Sequence, residues 1–383
     1  MPPSHSRRRR ERSLGDKPSA FPEQRLGAIT GGMSEELRVG VVGVGALGAR
    51  HARIYAELAK AGKARFAGVF DTEASRARET AARYGTRAFD SLDALIGECH
   101  AVSVVTPTRT HYEIARKLLE ADRHVLLEKP MTDNREQAEE LVRLASRLNL
   151  VLQVGHVERF NPVYHYLRRS AVDPRFIEAH RLSPYPARST DIGVVLDLMI
   201  HDLDIVLNFV DSPLVGLDAV GVGVLSDSED IANVRLRFAN GCAANLTASR
   251  VSAERMRKIR VFSGKPRPAY ISLDYMAQSG YIYRLAEGEE EESSLVEKLI
   301  GGGRRKIVSR FGDRRIVREP APVSPQEPLR LELESFVECV RRHGKPEVSG
   351  ETAKRALDLA LKITEAIRRT SPGRLEDLTE PHP

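Results

Sequence analysis

Residues 37–48 read LRVGVVGVGALG, and this stretch decides the fold of the first half of the chain. The apolar run Leu37–Val42 is typical of a parallel strand that is covered on both faces. Three glycines at a GxGxxG spacing follow the run, and Leu47, Ile54 and Leu58 then recur on one face of a helix. A strand, a glycine turn and a helix in this order predict a β-α unit whose turn approaches a ligand closely.

The glycines have separate tasks in such a turn. Gly43 permits the tight bend, Gly45 lets the backbone approach a pyrophosphate, and Gly48 lets the helix pack closely on the strand. The pyrophosphate then lies at the helix N-terminus, where unpaired N–H groups and the helix dipole attract an anion. The sequence therefore predicts a dinucleotide site that includes the backbone of Ala46 and Leu47.

A carboxylate follows the second predicted strand. Arg65–Phe70 ends at Asp71, near the expected place of the acidic side chain that accepts hydrogen bonds from the adenosine ribose. An acid there repels a 2′-phosphate, so the sequence favours NAD over NADP. Arg76 lies nearby and tolerates a phosphate, which leaves NADP open. The alternative is that Asp71 merely caps the helix predicted for Thr72–Tyr84.

Strands and helices continue to alternate up to residue 155. The further strands are predicted at Ala101–Val105, His124–Leu127 and Val151–Val154, and the further helices at Tyr112–Glu120 and Asn134–Leu148. Such alternation specifies a doubly wound parallel sheet, in which ligands bind beyond the carboxyl ends of the strands. That rule places five residues at the cofactor crevice: Thr106, Pro107, Glu128, Lys129 and His156.

A polar stripe interrupts an otherwise apolar helix, Val194–Val210. Asp197, His201, Asp204 and Asn208 stand at i, i+4, i+7 and i+11, which places them on one face. Ionisable groups on a buried helix are costly unless they are paired or line a cleft, so the stripe predicts a wall of a site. Asp202 lies off the stripe and is expected to make a different contact.

These residue types suit the oxidation of an alcohol. A histidine near neutral pKa is a natural base for the hydroxyl proton, and a carboxylate one turn away orients it. Lys129, at a strand end, stabilises negative charge that develops on the same oxygen. The alternative is a core pair of Asp197 and His201 without a catalytic role.

The second half changes to short β-rich segments. They are Val215–Val224, Ile231–Phe238, Ala243–Arg250, Ile259–Phe262, Tyr270–Asp274 and Tyr281–Leu285. Asn240-Gly241 marks a hairpin turn, so we predict an antiparallel sheet with one face on helices and the other covered by a partner subunit. The stretch from Glu287 to Pro328 is expected to be a solvated loop, or a segment that covers the site or a neighbouring subunit. Amphipathic helices are predicted at Leu329–Arg342 and Glu351–Thr370.

The chain length fits two domains, since 383 residues are more than a single domain with one hydrophobic core usually contains. We expect a disordered basic tail at 1–34, a Rossmann dinucleotide domain at 35–155, a substrate-binding and oligomerisation domain at 156–370, and a frayed end at 371–383. Residues 1–33 contain seven Lys/Arg and three Asp/Glu, a balance of +4, so the net charge of +6 leaves +2 for the rest. That small remainder gives no reason to expect a nucleic-acid partner for the folded part.

The run Arg7–Arg10 is interpreted as part of a solvated tail, although such a run can also contact nucleic acid or an acidic surface. No apolar segment follows it, so it is not expected to direct export. Met33 is the expected start of translation, because the fold signal begins right after it. The sequence contains no apolar run of about 18 residues, so no membrane span is expected. Three distant cysteines, Cys99, Cys242 and Cys339, predict neither a metal site nor disulfides and suit the cytoplasm.

Three motifs together resemble the Gfo/Idh/MocA family: Gly43–Gly48, Glu128-Lys129-Pro130, and Asp197 followed by His201. The resemblance covers about residues 37–370. It implies a Rossmann domain followed by an α+β domain with a large open antiparallel sheet, and NAD(P)-dependent chemistry on sugars, inositols or nucleotide sugars. By this likeness Lys129 is the catalytic lysine, His201 the acid/base and Asp197 its partner. The likeness also implies a cis Lys129–Pro130 bond.

A finer resemblance is to the branch that oxidises the 3-hydroxyl of UDP-N-acetylglucosamine, whose ketone an aminotransferase then converts for lipid A precursors. Three stretches support it: GHVERFNP at 155–162, HRLS at 180–183 and LDLMIHDLD at 196–204. A diphosphate requires cations, and we expect Arg159 and Arg181 to contact substrate. Arg168, Arg169 and Arg188 are further candidates.

Two alternatives stay open. One keeps the chemistry but changes the substrate to myo-inositol, oxidised at its 2-hydroxyl, or to a free sugar. The other is a catalytically silent regulator that senses the dinucleotide on the same scaffold. The presence of Lys129, Asp197 and His201 argues against the silent regulator.

Overall fold

The structure is a computed structural model that describes residues 36–171, 173–185, 192–265, 267–286, 306–312 and 314–370. The basic tail, Arg188, the acidic run Glu287–Glu292 and the end of the chain after residue 370 lie outside the described residues. The expectations about them stay predictions, as do the proposed domain boundaries.

The first half contains a six-stranded sheet in which every pair of neighbours is parallel. Its strands are β1 (Arg38–Val42), β2 (Arg65–Phe70), β3 (Arg87–Ala88), β4 (Ala101–Val104), β5 (His124–Glu128) and β6 (Leu152–Gly155). The strand order is β3-β2-β1-β4-β5-β6, which reverses direction at β1 and β4. The predicted doubly wound sheet is therefore confirmed, with its crevice beyond the carboxyl ends of these strands.

Helices connect the strands of this sheet. They are α1 (Gly48–Lys60), α2 (Ala74–Tyr84), α3 (Leu92–Glu98), α4 (His111–Glu120) and α5 (Arg135–Arg147). The sequence missed β3 and α3, since a two-residue strand has no periodicity and α3 spans only two turns. The central strands read as apolar runs because both their faces are covered: Val39, Val41, Val102 and Val104 are 0% exposed.

The second half contains a nine-stranded sheet. Its strands are β7 (Pro174–Leu182), β8 (Leu214–Val222), β9 (Ile231–Phe238), β10 (Ala243–Ser249), β11 (Met256–Ser263), β12 (Ala269–Asp274), β13 (Ser279–Leu285), β14 (Lys306–Phe311) and β15 (Arg314–Pro320). The order is β14-β15-β13-β12-β11-β7-β10-β9-β8. All neighbours are antiparallel except β7 and β10, so the predicted antiparallel sheet is confirmed with one parallel pair inside it.

The described residues of the second half also include four α-helices: α6 (Pro162–Ser170), α7 (Ile200–Phe209), α8 (Pro328–Arg342) and α9 (Gly350–Thr370). Side chains alternate between its two faces. On β9, for example, Val234 and Leu236 are buried while Arg235 and Arg237 are exposed. Helix α9 contacts α7 and β8, whereas α8 packs on α1 in the core of the parallel-sheet half.

Two sequence expectations need correction. The stretch up to Pro328 is not simply a loop, because 306–320 contains β14 and β15, which extend the sheet beside β13. The polar-stripe helix is not uniform either, because Val195–Met199 is π-helical and α7 starts at Ile200. A π-helical turn carries one residue more than an α-helical turn, so the four-residue spacing loses its usual meaning there.

Candidate functional site

The turn between β1 and α1 admits only glycine at two positions. Gly43 has a φ of +84°, and a Cβ there would lie 2.5 Å from the carbonyl oxygen of Val105. A Cβ at Gly48 would lie 1.9 Å from the carbonyl oxygen of Gly43. The turn and the helix therefore approach each other as closely as the motif predicted.

The same turn leaves room and hydrogen-bond donors for a phosphate. A Cβ at Gly45 would meet no atom within 4 Å, so the space above the turn is open. Among the described residues, no hydrogen bond uses the N–H groups of Gly45, Ala46 or Leu47. The first turn of α1 also carries no acidic side chain. Free N–H groups at the positive end of the helix dipole fit the pyrophosphate of a dinucleotide.

Asp71 ties the end of β2 to the glycine turn. It is 8% exposed, and its Oδ2 and Oδ1 accept hydrogen bonds from the N–H groups of Val44 at 2.8 Å and Glu73 at 2.9 Å. Arg76 contacts the carboxylates of Asp71 and Glu73, so its charge is compensated twice. This acidic corner disfavours a 2′-phosphate and agrees with NAD as cofactor.

Thr106 and Pro107 follow β4, and His111 connects them to the segment after β5. The His111 ring is buried, with Nε2 2.8 Å from the Thr106 carbonyl oxygen and Nδ1 2.9 Å from the Pro130 carbonyl oxygen. The Lys129–Pro130 bond is cis, which confirms that expectation. Sequence reasoning missed His111, since nothing in its neighbourhood marks it as a link between two strand ends.

Lys129 and Asp197 form the central contact of the crevice. The Lys129 Nζ donates to Asp197 Oδ1 at 3.0 Å and to the Asp197 carbonyl oxygen at 2.7 Å. The two side chains are 18% and 16% exposed, so they are largely shielded yet reachable. Glu128 stands behind them and accepts a hydrogen bond from the Lys129 N–H at 3.2 Å. The carboxyl end of β5 and the polar-stripe segment therefore converge.

His201 lies next to this pair but is not hydrogen-bonded to Asp197, contrary to the spacing argument. The Asp197 carboxylate contacts Lys129 instead, and the buried Nδ1 of His201 has no hydrogen-bond partner within the described ranges. The π-helical turn explains the difference, because its wider spacing rotates Asp197 away from His201. His201 as a whole residue is partly exposed, although its Nδ1 is buried.

A second imidazole faces His201. The rings of His156 and His201 meet edge to face, with centroids 6.0 Å apart. Burial and the charges of Lys129 and Arg159 lower the pKa of His156 to about 3. Burial and the charges of Lys129 and Arg181 lower the pKa of His201 well below its usual 6.5. Both rings are therefore neutral at physiological pH, and a neutral ring can accept a proton.

Arg159 contacts Asp204, in the C-terminal half of the polar stripe. Arg159 Nη1 lies 3.5 Å from Asp204 Oδ1, and Nη2 donates to the Glu347 carbonyl oxygen at 3.3 Å. Burial raises the pKa of Asp204 to about 7, which Arg159 opposes. Asn208 donates to Asp204 as well. Arg159 is 5% exposed, so the prediction that it contacts substrate finds no support in this geometry.

Arg181 is equally enclosed. Its guanidinium donates to both Asp202 oxygens, at 2.8 and 2.9 Å, and to Glu158 at 3.0 Å. Asp202 thus makes a contact different from that of the stripe, as expected. Because Arg181 is 2% exposed and its donors are used within the protein, its predicted substrate contact is also without support. Arg168, a further candidate, is half-exposed and lies 3.5 Å from Glu347.

The described residues contain neither a metal-binding cluster nor a membrane-spanning helix. No group of three or more His, Cys, Asp or Glu side chains there is arranged to hold a metal ion. No helix in the described ranges has the length and apolar character needed to span a membrane.

Comparison with known families agrees with the fold and the crevice. Residues 37–156 match the Gfo/Idh/MocA model described as an oxidoreductase family with an NAD-binding Rossmann fold. Residues 167–265 match the Gfo/Idh/MocA C-terminal domain.

Individual relatives extend the likeness over most of the chain. A UDP-N-acetylglucosamine 3-dehydrogenase from Acidithiobacillus ferrooxidans is 37% identical over 332 residues, 86% of this chain and 97% of that protein. A solved structure of that organism's UDP-N-acetylglucosamine 3-dehydrogenase GnnA matches with a TM-score of 0.76, covering 87% of this chain and 98% of the other at 37% identity. A myo-inositol 2-dehydrogenase from Thermotoga maritima is 25% identical over 362 residues, 89% of this chain and 99% of that protein.

Proposed function

This chain belongs to the Gfo/Idh/MocA family of NAD-binding oxidoreductases, and on that premise we propose that it oxidises the 3-hydroxyl of UDP-N-acetylglucosamine to a ketone. The relative that is 37% identical carries the name of that activity, which supports the choice of substrate. The observation that carries the chemistry is the contact of Lys129 with Asp197 beside the neutral ring of His201.

In this proposal Lys129 binds the reacting hydroxyl. Its ammonium has three donors, and the two contacts to Asp197 fix its position while leaving donor capacity for a substrate oxygen. The positive charge stabilises the negative charge that develops on that oxygen as its proton leaves. Asp197 holds the ammonium in place and compensates its charge when the crevice is empty of substrate.

His201 accepts the hydroxyl proton. Its lowered pKa keeps the imidazole neutral, so the ring has a lone pair available before substrate binds. When bound, NAD would supply the hydride-accepting chemistry that these side chains lack. The glycine turn, Asp71 and the residues after β4 and β5 would hold that cofactor.

A direct test measures NADH formation by the purified protein with UDP-N-acetylglucosamine, myo-inositol and glucose. Because alcohol oxidation by NAD is often unfavourable at equilibrium, hydroxylamine is added to trap the ketone, and mass spectrometry identifies the oxime. We expect turnover with the nucleotide sugar and an oxime at its sugar ring. Turnover of myo-inositol alone would replace the proposed substrate by the alternative that the Thermotoga maritima relative supports.

A silent regulator would bind NAD without turning over any of the three substrates. Lys129, Asp197 and His201 disfavour it, because a protein that only senses the dinucleotide has no need of them. Calorimetric titration with NAD, run beside the activity assay, separates the two cases: binding without turnover supports the regulator.

The proposal also concerns the surroundings of the reaction. A 3-keto nucleotide sugar is a substrate for an aminotransferase, and we propose such a partner, in the synthesis of lipid A precursors. We propose a cytoplasmic location, which suits the three free cysteines Cys99, Cys242 and Cys339. A homodimer or homotetramer through the exposed face of the nine-stranded sheet completes the proposal.

A further inference from the structure

The proposed substrate leaves one requirement unmet. A nucleoside diphosphate sugar carries two phosphates, and these need a cation in the binding site. The inference about that cation rests on the proposed function. Arg159 and Arg181, the arginines expected to meet them, are enclosed in the protein and occupied by carboxylates or a carbonyl. The diphosphate therefore needs a different cation at the open side of the crevice.

Arg257 has the required position. It stands directly opposite Arg181 in the antiparallel ladder of β7 and β11, so both side chains lie on the same face of the sheet. Ile259, two residues further along β11, is buried on that face. Arg257 therefore points towards the helix side of the sheet, where Arg181 contacts Asp202 of α7.

Arg257 shares its nearest carboxylate with Arg181. Its guanidinium lies 3.5 Å from Glu158, but the same Glu158 oxygen accepts a hydrogen bond from Arg181 at 3.0 Å. Burial and the neighbouring charge of Arg181 lower the pKa of Arg257, as expected when two guanidiniums share one carboxylate. The guanidinium of Arg257 therefore keeps donors that an approaching anion can use, since its one ion pair among the described residues is shared.

Arg257 also remains reachable. Its side chain is 49% exposed, whereas Glu158 beside it is only 6% exposed. Arg181, directly opposite Arg257 in the ladder, donates to Asp202, the residue that follows His201 on α7. The position of Arg257 thus combines access from solvent with proximity to the reacting end of the crevice.

We infer that Arg257 binds the diphosphate of a nucleotide-sugar substrate, while Glu158, itself fixed by a hydrogen bond from Arg181, holds the guanidinium in place. The planar guanidinium offers parallel N–H donors that match two phosphate oxygens. This contact selects nucleotide sugars over inositols and free sugars, which have no anionic group to place there.

The test compares Arg257→Gln with Arg257→Lys and with the control Arg175→Gln. Arg175 is an exposed arginine of β7 that contacts Asp173, far along the strand from Arg181. We measure the KM for UDP-N-acetylglucosamine, the inhibition constant of UDP, the KM for NAD, and the calorimetric affinity for UDP. The thermal unfolding midpoint of each variant verifies that it is folded.

Loss of one charge-assisted phosphate contact raises the KM for the nucleotide sugar and the inhibition constant of UDP roughly 10- to 100-fold in Arg257→Gln. The KM for NAD and the values of the Arg175→Gln control should stay within about twofold of the wild type. Arg257→Lys retains the charge without the fork and should give an intermediate value.

Two failures are distinguishable. If the wild type binds UDP and Arg257→Gln binds it equally well, the assignment of Arg257 is wrong while the proposed function stands. If the wild type neither binds UDP nor oxidises the nucleotide sugar, the proposed function and this inference are both overturned.

Discussion

At the scale of single residues, the surroundings of His201 decide its protonation. Its ring meets that of His156 edge to face, and burial and the charge of Lys129 lower the pKa of His201. No carboxylate among the described residues is hydrogen-bonded to the ring to stabilise an imidazolium. A base of this kind is present in its active form at rest, and its weakness is offset if Lys129 lowers the pKa of the bound hydroxyl.

Replacement of His201 by asparagine removes the proton acceptor but keeps a polar side chain of similar size. We expect kcat for oxidation to fall about 100-fold or more, the range that general-base removal typically gives. Steady-state kinetics measure this, and His165→Asn, at a partly buried histidine of α6, is the control. A kcat of His201→Asn within a factor of three of the wild type would exclude His201 as the base.

The acid limb of the pH profile follows from the same residue. Only the neutral ring accepts a proton, so the rate falls when pH decreases through the lowered pKa of His201. We expect kcat/KM for oxidation to be independent of protonation of this group near neutral pH and to decline only below pH 6.5. Asp204→Asn is the control, because burial raises the pKa of that carboxyl to about 7. A midpoint above 6.5 that persists in Asp204→Asn contradicts the assignment.

At the scale of elements, the success of prediction followed the strength of the local pattern. β1, β2 and β9 were located to within one residue, because apolar runs or strict alternation mark them. β7 and the pair β14–β15 were not predicted. β7 is defined by its pairing with β10 and β11, which are remote from it in sequence. Long-range pairing of this kind leaves no trace in a local window.

The candidate site shows the same division. The glycine turn and Lys129 were recognisable because strand ends fix their positions. The contact of Asp197 with Lys129 rather than His201 was not, since a π-helical turn cannot be distinguished from an α-helical turn by spacing. Arg257 escaped notice because only the register of β11 against β7 places it beside Arg181.

Helix α8 carries a buried carboxyl that the proposed reaction does not use. Glu332 is 0% exposed, and neither of its oxygens has a hydrogen-bond partner among the described residues. Burial, with the nearby charge of Glu128, raises the pKa of Glu332 well above its usual 4.5. The helix therefore packs on α1 with this side chain protonated.

The protonated Glu332 makes stability depend on pH. The pKa of Glu332 is higher in the folded than in the unfolded chain. The free energy of unfolding is therefore not reduced by this group below about pH 4.5, and it decreases as pH rises from there towards the raised pKa. Glu332→Gln abolishes this titration, so the free energy of unfolding of the variant, relative to that of the wild type, should increase between pH 5 and pH 8. Urea unfolding at several pH values measures it, with Glu338→Gln, an exposed residue of the same helix, as control. A difference that is constant with pH would contradict a raised pKa.

At the scale of the whole molecule, the nine-stranded sheet presents a row of aromatic rings. Phe176, Phe262, Tyr270 and Tyr283 stand opposite one another across β7, β11, β12 and β13, with neighbouring ring centroids 4.7 to 5.8 Å apart. This face is opposite the one that bears Ile259 and Arg257. Phe262 is 43% exposed, which is unusual for a large apolar ring in a continuous row.

A second copy of the chain is the occupant we expect on this face, since a two-fold axis would stack one aromatic row on another. Phe262→Arg places a charge in the middle of the row and, if the face is an interface, must leave that charge unpaired on burial. We therefore expect the wild type to have the mass of a dimer or tetramer in light scattering and Phe262→Arg to shift towards the monomer, with the fold retained by circular dichroism. Leu225→Arg, at a more exposed apolar residue of the β8–β9 loop, should leave the mass unchanged. If Phe262→Arg keeps the oligomeric mass of the wild type, or the wild type is itself a monomer, this face is not the interface and the aromatic row must be explained by stabilisation of the sheet alone.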